Sequence, residues 1–329
     1  MKKPFALAAA IAAAAAVLVT APYASAATGQ AHDKPVVTHV KTAAMFDFAA
    51  GESAENITVN PDRSLTISQI GTPVGKPPKL VRISPSGQRT VLVTGQAGEG
   101  VLGNTRGPDG TLYYNVLSAD AARSGVWALA PGGTAHRIAA LPTDGFPNGL
   151  AIDPSGRTLY AADSKNGVIW AVPASGGAAT AWVKDAALAP TSTTFPLGVN
   201  GLRFHKGALW ASNTDQGTLM RIPVTSTGKA GRINLVTSDV PGIDDFNFLS
   251  ARSDVVFAAL NGPNEIAVVY PDGTRKSVLT SADGLTSPTS TAVRGNRLYI
   301  TDAGFAAPNI AKLQQGQINL SALFSDAHS

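Results

Sequence analysis

Short apolar runs, separated by polar turn pairs, recur along the chain from about residue 55 onward. The clearest copy opens as Asn148-Gly149-Leu150-Ala151-Ile152 and breaks at Asp153-Pro154-Ser155-Gly156. It resumes as Thr158-Leu159-Tyr160-Ala161-Ala162-Asp163, breaks at Asn166-Gly167 and continues as Val168-Ile169-Trp170-Ala171-Val172-Pro173. Thr180-Ala181-Trp182-Val183 makes a fourth run. Short apolar or alternating runs bounded by Pro-Ser-Gly and Asn-Gly predict antiparallel strands joined by tight hairpins. One copy therefore predicts a four-stranded sheet.

The pattern repeats. Glu55-Asn56-Ile57-Thr58-Val59 leads to Ser64-Leu65-Thr66-Ile67, and Asn200-Gly201-Leu202-Arg203-Phe204 leads to Ala208-Leu209-Trp210-Ala211. Asp244-Asp245-Phe246-Asn247-Phe248 leads to Val255-Val256-Phe257-Ala258. A degenerate copy starts near Leu102, and a last one starts near Thr289-Ser290 and runs through Arg297-Leu298-Tyr299-Ile300. The period of roughly 45–50 residues fits a four-stranded propeller blade. The fold expected is all-β: a six-bladed β-propeller with four antiparallel strands per blade, its edges protected by ring closure. The last copy shows only three clear strands. Part of segment 36–47 is expected to supply its outer strand, with Ile318-Asn319-Leu320-Ser321-Ala322-Leu323 as the competing donor.

The first residues add a compartment. Lys2 and Lys3 precede an Ala/Val/Leu run that ends at Ala24-Ser25-Ala26, the layout of a cleaved secretory signal. Residues 1–26 are read as the signal peptide and 27–329 as a single propeller domain, secreted and free of the membrane after cleavage. The chain has no cysteine, which excludes thiolate catalysis and Cys-ligated zinc and leaves packing, sheet closure or a bound metal to hold an exported fold. The formal net charge of +4 includes the two leader lysines, and no Lys/Arg cluster is interleaved with aromatics, so nucleic acid is not an expected partner. The mature protein is expected to act as a monomer on a small molecule.

The chemistry sits at the blade starts. In a ring, the residues preceding each inner strand converge on one end of the central channel. Those residues are Glu55, a poorly aligned position between Leu102 and Asn104, Asn148, Asn200, Asp244 and Thr289. Two carboxylates and two carboxamides aimed at one axis are costly to desolvate unless something compensates them. Calcium, which takes six to eight oxygen ligands, supplies that compensation, and an all-oxygen set disfavours zinc and copper. The opposing reading is that Asn-Gly before a strand is an ordinary turn pair and Asp a local cap.

This pattern resembles the calcium-dependent six-bladed propeller superfamily that includes the senescence marker protein/gluconolactonase/luciferin-regenerating-enzyme-like family, diisopropylfluorophosphatase and paraoxonase. The resemblance spans roughly residues 45–310 and is carried by Pro147-Asn148-Gly149-Leu150, Val199-Asn200-Gly201-Leu202 and Asp244-Asp245-Phe246. It implies a catalytic calcium held by Glu55, Asn148, Asn200 and Asp244. The second blade lacks an Asn where gluconolactonases place one against the substrate, Asn104 being shifted by about two residues. The paired histidines of paraoxonases also have no counterpart, since His136 and His205 read as surface residues.

The activity these residues suggest is calcium-dependent hydrolysis of lactones or related esters. Asp244 would be a metal ligand that also acts as base or nucleophile. Asp245 is the lesser candidate, because strand alternation turns it away from its neighbour. Asn104, Arg106, Phe195 and Thr289 are expected to line the substrate pocket. The alternatives are a non-catalytic binding or scaffold propeller stabilised by calcium, and a biosynthetic enzyme like strictosidine synthase.

Overall fold

The computed structural model describes residues 34–325; the predicted leader lies outside them. The described chain forms six four-stranded antiparallel sheets. Strand β1 (Val37–Phe46) comes first, followed by blade I: β2 (Ala54–Val59), β3 (Leu65–Gln69), β4 (Lys79–Ile83) and β5 (Arg89–Thr94). Blade II is β6 (Gly100–Arg106), β7 (Leu112–Leu117), β8 (Gly125–Leu129) and β9 (His136–Ala140). Blade III is β10 (Pro147–Ile152), β11 (Thr158–Asp163), β12 (Val168–Pro173) and β13 (Thr180–Lys184). Blade IV is β14 (Val199–His205), β15 (Ala208–Asn213), β16 (Thr218–Pro223) and β17 (Asn234–Thr237). Blade V is β18 (Ile243–Ser250), β19 (Ser253–Leu260), β20 (Glu265–Val269) and β21 (Arg275–Leu279). Blade VI is β22 (Pro288–Arg294), β23 (Arg297–Asp302) and β24 (Ala311–Ile318), with β1 as its outer strand.

The ring is closed by the N-terminal segment, as the alternation over 36–47 predicts. β1 pairs with β24 from Val37↔Ile318 to Phe46↔Ala311. The rival donor does something else: Ile318 ends β24, and the residues after it turn into a short helix, α1 (Leu320–Ser325), which buries Ala322 and Leu323. Closure is sealed by side chains as well as hydrogen bonds. Phe46, Ile57 and Ile67 pack with Tyr299 and Leu313 in one apolar cluster joining the last blade to the first.

Apolar side chains fill the spaces between neighbouring blades. Leu150, Leu159 and Ala161 of blade III meet Tyr113 and Val126 of blade II, and Phe246 and Phe248 of blade V meet Trp210 of blade IV. Burying each such Leu, Ile or Phe is worth about 1.5–3 kcal/mol. With no disulfide anywhere in the chain, this inter-blade packing carries the fold. No helix of the described residues is long and apolar enough to cross a membrane.

Candidate functional site

Every inner strand is interrupted near its start by a register shift. Pairing jumps from Ala54↔Gln69 to Ile57↔Ile67 in β2 and from Pro147↔Asp163 to Leu150↔Ala161 in β10. It jumps from Val199↔Asn213 to Leu202↔Ala211 in β14 and from Ile243↔Leu260 to Phe246↔Ala258 in β18. Equivalent shifts lie between Val101 and Asn104 in β6 and between Pro288 and Ser290 in β22. Each adds one residue to the inner strand, a β-bulge, which bends the strand and re-aims a side chain. The first bulged residues are Glu55, Leu102, Asn148, Asn200, Asp244 and Thr289.

The residue after the first is glycine in three consecutive blades, and the reason is contact between blades rather than a turn. A Cβ on Gly103 would lie 2.3 Å from the Asn148 carbonyl oxygen, one on Gly149 2.1 Å from that of Asn200, and one on Gly201 2.3 Å from Oδ1 of Asp245. The Asn-Gly pairs therefore mark places where neighbouring inner strands touch at the channel mouth. Second strands lock the same region. Asn115 donates to the Asn148 carbonyl at 2.7 Å, the Ser164 hydroxyl to that of Val199 at 2.7 Å and the Ser212 hydroxyl to that of Asp244 at 2.6 Å.

Glu55, Asn148, Asn200 and Asp244, from four different blades, line one cavity of about 100 Å³. All four are buried. The carboxamides are oriented through their nitrogens. Nδ2 of Asn148 donates to the Ser164 hydroxyl at 3.2 Å, and Nδ2 of Asn200 donates to the Thr214 hydroxyl at 3.0 Å and to Oδ1 of Asp244 at 2.8 Å. With the nitrogens so engaged, the amide oxygens are left for the cavity. Asn261 also lies against Asp244, its buried amide nitrogen forming no completed hydrogen bond.

The site is electrostatically uncompensated by protein. Burial pushes the Glu55 carboxyl up to about 8, and the charge of Asp245 adds to the rise. Burial raises Asp244 well above the ordinary carboxylate range, with the charges of Glu55 and Asp245 adding to the effect and the Asn200 and Asn261 amides opposing it. No Lys, Arg or His lines the cavity. A cation bound by oxygen would relieve both carboxyls, and two carboxylates with two carboxamides suit calcium. Among the described residues no group of three or more His, Cys, Asp or Glu side chains is gathered to hold a metal.

The predicted pocket residues divide. Phe195 lines the cavity and meets Phe146 edge to face, with ring centres 6.1 Å apart. Leu102, not Asn104, holds the bulge position of blade II. Asn104 lies deeper, its backbone N–H donating to Oδ1 of Asn56 at 3.2 Å and its own Oδ1 buried without a partner. Arg106 is at the other end of β6, four residues and roughly 13 Å of strand from Leu102, beside Asn60 and Gly110. Thr289 faces blade I instead of the cavity, its hydroxyl donating to the Ala54 carbonyl at 3.0 Å. His136 is exposed, but His205 is buried, contrary to the sequence expectation. Its ring stacks on Phe248 at 3.7 Å and its Nε2 meets Asp254 at 2.7 Å, because its position closing β14 lies against blade V.

Asp245 is indeed directed away from Asp244. It accepts hydrogen bonds from Asn56 at 2.7 Å and Ser290 at 2.6 Å and pairs with Arg203, so it ties together blades I, IV, V and VI below the mouth. Sequence reading missed the apolar lining contributed by Ile70, Leu102, Phe146, Leu197 and Phe305. Four of these lie in loops or at strand ends outside the repeat, and only Leu102 could have been found, as the apolar residue at a blade start.

No family model matches the chain, and no curated protein matches it in sequence. Solved structures share its fold. A gluconolactonase from Xanthomonas campestris is 15% identical with a TM-score of 0.64, covering 87% of this chain and 95% of that one. Regucalcin from Agrobacterium tumefaciens, described as a calcium-binding protein, is 18% identical with a TM-score of 0.61, covering 84% and 93%. A catalytically inactive virginiamycin B lyase from Staphylococcus aureus, with a histidine replaced by alanine and quinupristin present, is 14% identical with a TM-score of 0.56, covering 85% and 100%. At these identities the likeness is one of fold: the six-bladed propeller architecture of gluconolactonases and regucalcin.

Proposed function

We propose that this protein is a calcium-dependent hydrolase of lactones or related esters, exported by its N-terminal leader and allied in function to the gluconolactonase and regucalcin group. The observation that carries the reading is the convergence of Glu55, Asn148, Asn200 and Asp244 from four blades on one cavity. Calcium held through the oxygens of these four side chains would polarise a substrate carbonyl and stabilise the charge that develops on it.

The chain's own groups supply the rest. Asp244, whose Oδ1 accepts from Asn200, would take a proton from an attacking water or attack the carbonyl itself. Asn148 and Asn200 hold their oxygens in place through Ser164 and Thr214. A lyase like the virginiamycin enzyme is less well supported, because its inactive form lacks a histidine and no histidine lines this cavity.

The test is a panel of lactones, aryl esters and organophosphates assayed with calcium and with chelator. Hydrolysis that requires calcium, and that is lost in folded Asn148→Ala and Asp244→Ala proteins, is the expected result. Absence of hydrolysis, or activity unchanged in those variants, overturns the reading. A melting temperature that falls on chelation while no substrate is turned over would instead support a calcium-stabilised binding propeller.

A further inference from the structure

Apart from the four polar side chains, the cavity is lined largely by apolar ones. Its wall is built by Ile70, Leu102, Phe146, Phe195, Leu197 and Phe305, brought from blades I, II, III, IV and VI. We infer that the ligand of this site is an uncharged lactone or ester bearing a short aliphatic substituent, and not a polyhydroxylated one. The inference rests on the hydrolase reading for the reacting group and on the wall for the rest of the molecule.

The polar inventory is what excludes hydroxyl-rich ligands. Beyond Glu55, Asn148, Asn200 and Asp244, the side chains that could hydrogen-bond a ligand are Thr214 and Asn261. The Thr214 hydroxyl already donates to the Ile243 carbonyl at 2.7 Å and accepts from Asn200. The Asn261 amide is already turned to the Asp244 carboxyl, which it holds down. A ligand carrying several hydroxyls would bury them against phenylalanine and leucine with no partner, which selects against it. With no Lys, Arg or His on the wall, a carboxylate or phosphate substituent would go unpaired as well.

The wall is held in shape. Phe146 is anchored by its backbone N–H on Oδ1 of Asp163 at 2.9 Å and meets Phe195 at an interplanar angle of 82°. The loop that carries Phe195 and Leu197 is gathered on one carboxylate: Oδ2 of Asp215 accepts from the N–H groups of Thr191, Ser192 and Leu197 at 3.0, 2.9 and 3.2 Å. A cavity of about 100 Å³ is smaller than the ~150 Å³ apolar cavity that admits benzene. It takes a short chain, and rings or larger substituents stay outside. Leu102 is the deciding position, because it occupies the bulge where five other blades present Glu55, Asn148, Asn200, Asp244 and Thr289.

Two hydrolysis-resistant δ-lactams separate the possibilities, one bearing a pentyl chain and one polyhydroxylated, titrated into the calcium-loaded protein by calorimetry and saturation-transfer NMR. The alkyl lactam is expected to bind at least about tenfold more tightly, and the preference is expected to shrink by about tenfold in Leu102→Asn. Phe195→Ser, on a half-buried loop, gives a second variant should Leu102→Asn fail to fold. Equal or tighter binding of the polyhydroxylated lactam, or binding of neither, overturns the inference. The matching lactones are assayed in parallel. An alkyl preference in binding without turnover of either lactone supports the apolar specificity and defeats only the hydrolase reading. Efficient turnover of the polyhydroxylated lactone keeps the hydrolase and overturns the specificity.

Discussion

Replacing Gly149 by alanine adds one methyl group, and the structure leaves it nowhere to go. Its Cβ would lie 2.1 Å from the Asn200 carbonyl oxygen, 2.9 Å from the Leu202 nitrogen and 3.0 Å from the Gly201 Cα. All three are backbone atoms, so no rotamer change relieves the clash. Restoring ordinary contact requires β10 and β14 to part by about 1 Å, at a cost of roughly 1–3 kcal/mol or more for an overpacked interior. For a domain of this size the melting temperature should fall by roughly 5 °C.

The displacement acts on Asn200 directly, and Asn148 lies one residue away. With calcium held as proposed, a ligand oxygen moved by ~1 Å would leave the 2.3–2.6 Å range of calcium coordination, and affinity should drop by about 10- to 100-fold. Differential scanning calorimetry in chelator reads the clash, and calcium titration calorimetry reads its consequence at the site. Gly133→Ala is the control, since the nearest atom to its added Cβ is 3.4 Å away. A Gly149→Ala protein that melts like the parent would refute the steric argument. One that melts lower yet binds calcium with unchanged affinity would refute the coupling between blade contact and cation site.

Two further outcomes follow from groups elsewhere in the ring. Burial raises the Asp302 carboxyl to about 7, against the opposing effects of the Thr286 N–H and Lys312. The native state thus keeps a proton that the unfolded chain has lost above its ordinary carboxylate value near 4, and stability should decline as pH rises from about 4 to 7. Asp302→Asn should flatten that decline and gain up to about 4 kcal/mol at pH 8 relative to pH 4; urea melts at both values check this, and a pH-independent difference would count against it. Removing residues 34–47 strips β1 from β24 and takes buried Val37 and Phe46 with it, so cooperative melting should be lost and the open edge should promote association. A truncated protein that stays monomeric with the parental melting temperature would contradict ring closure by β1.

The blades were legible because their causes are local. Asn166-Gly167 and Asp153-Pro154-Ser155-Gly156 turn the chain wherever they occur, and runs such as Val168-Ile169-Trp170-Ala171-Val172 have no better state than a half-buried strand. The outer strand of blade VI was legible for the same reason, as alternation over 36–47. The four oxygen-bearing residues could be read because ring symmetry brings equal repeat positions together, so Glu55, Asn148, Asn200 and Asp244 needed only the correct register.

The remaining features depend on contacts between segments that share no period. A bulge changes which way a side chain points without leaving a residue-type signature, so Asn104 looked close to the mouth although Leu102 occupies it. Thr289 has the right repeat position, yet its hydroxyl is captured by the Ala54 carbonyl of a blade 235 residues away. The apolar wall is assembled from five blades, chiefly their loops, where sequence carries no repeating constraint. By itself, then, the sequence determined the six-bladed ring and the four polar residues that meet in its cavity, because both follow from periodic local preferences. Only the tertiary structure decided which side chains reach the cavity and what surrounds them, because that depends on where neighbouring blades touch.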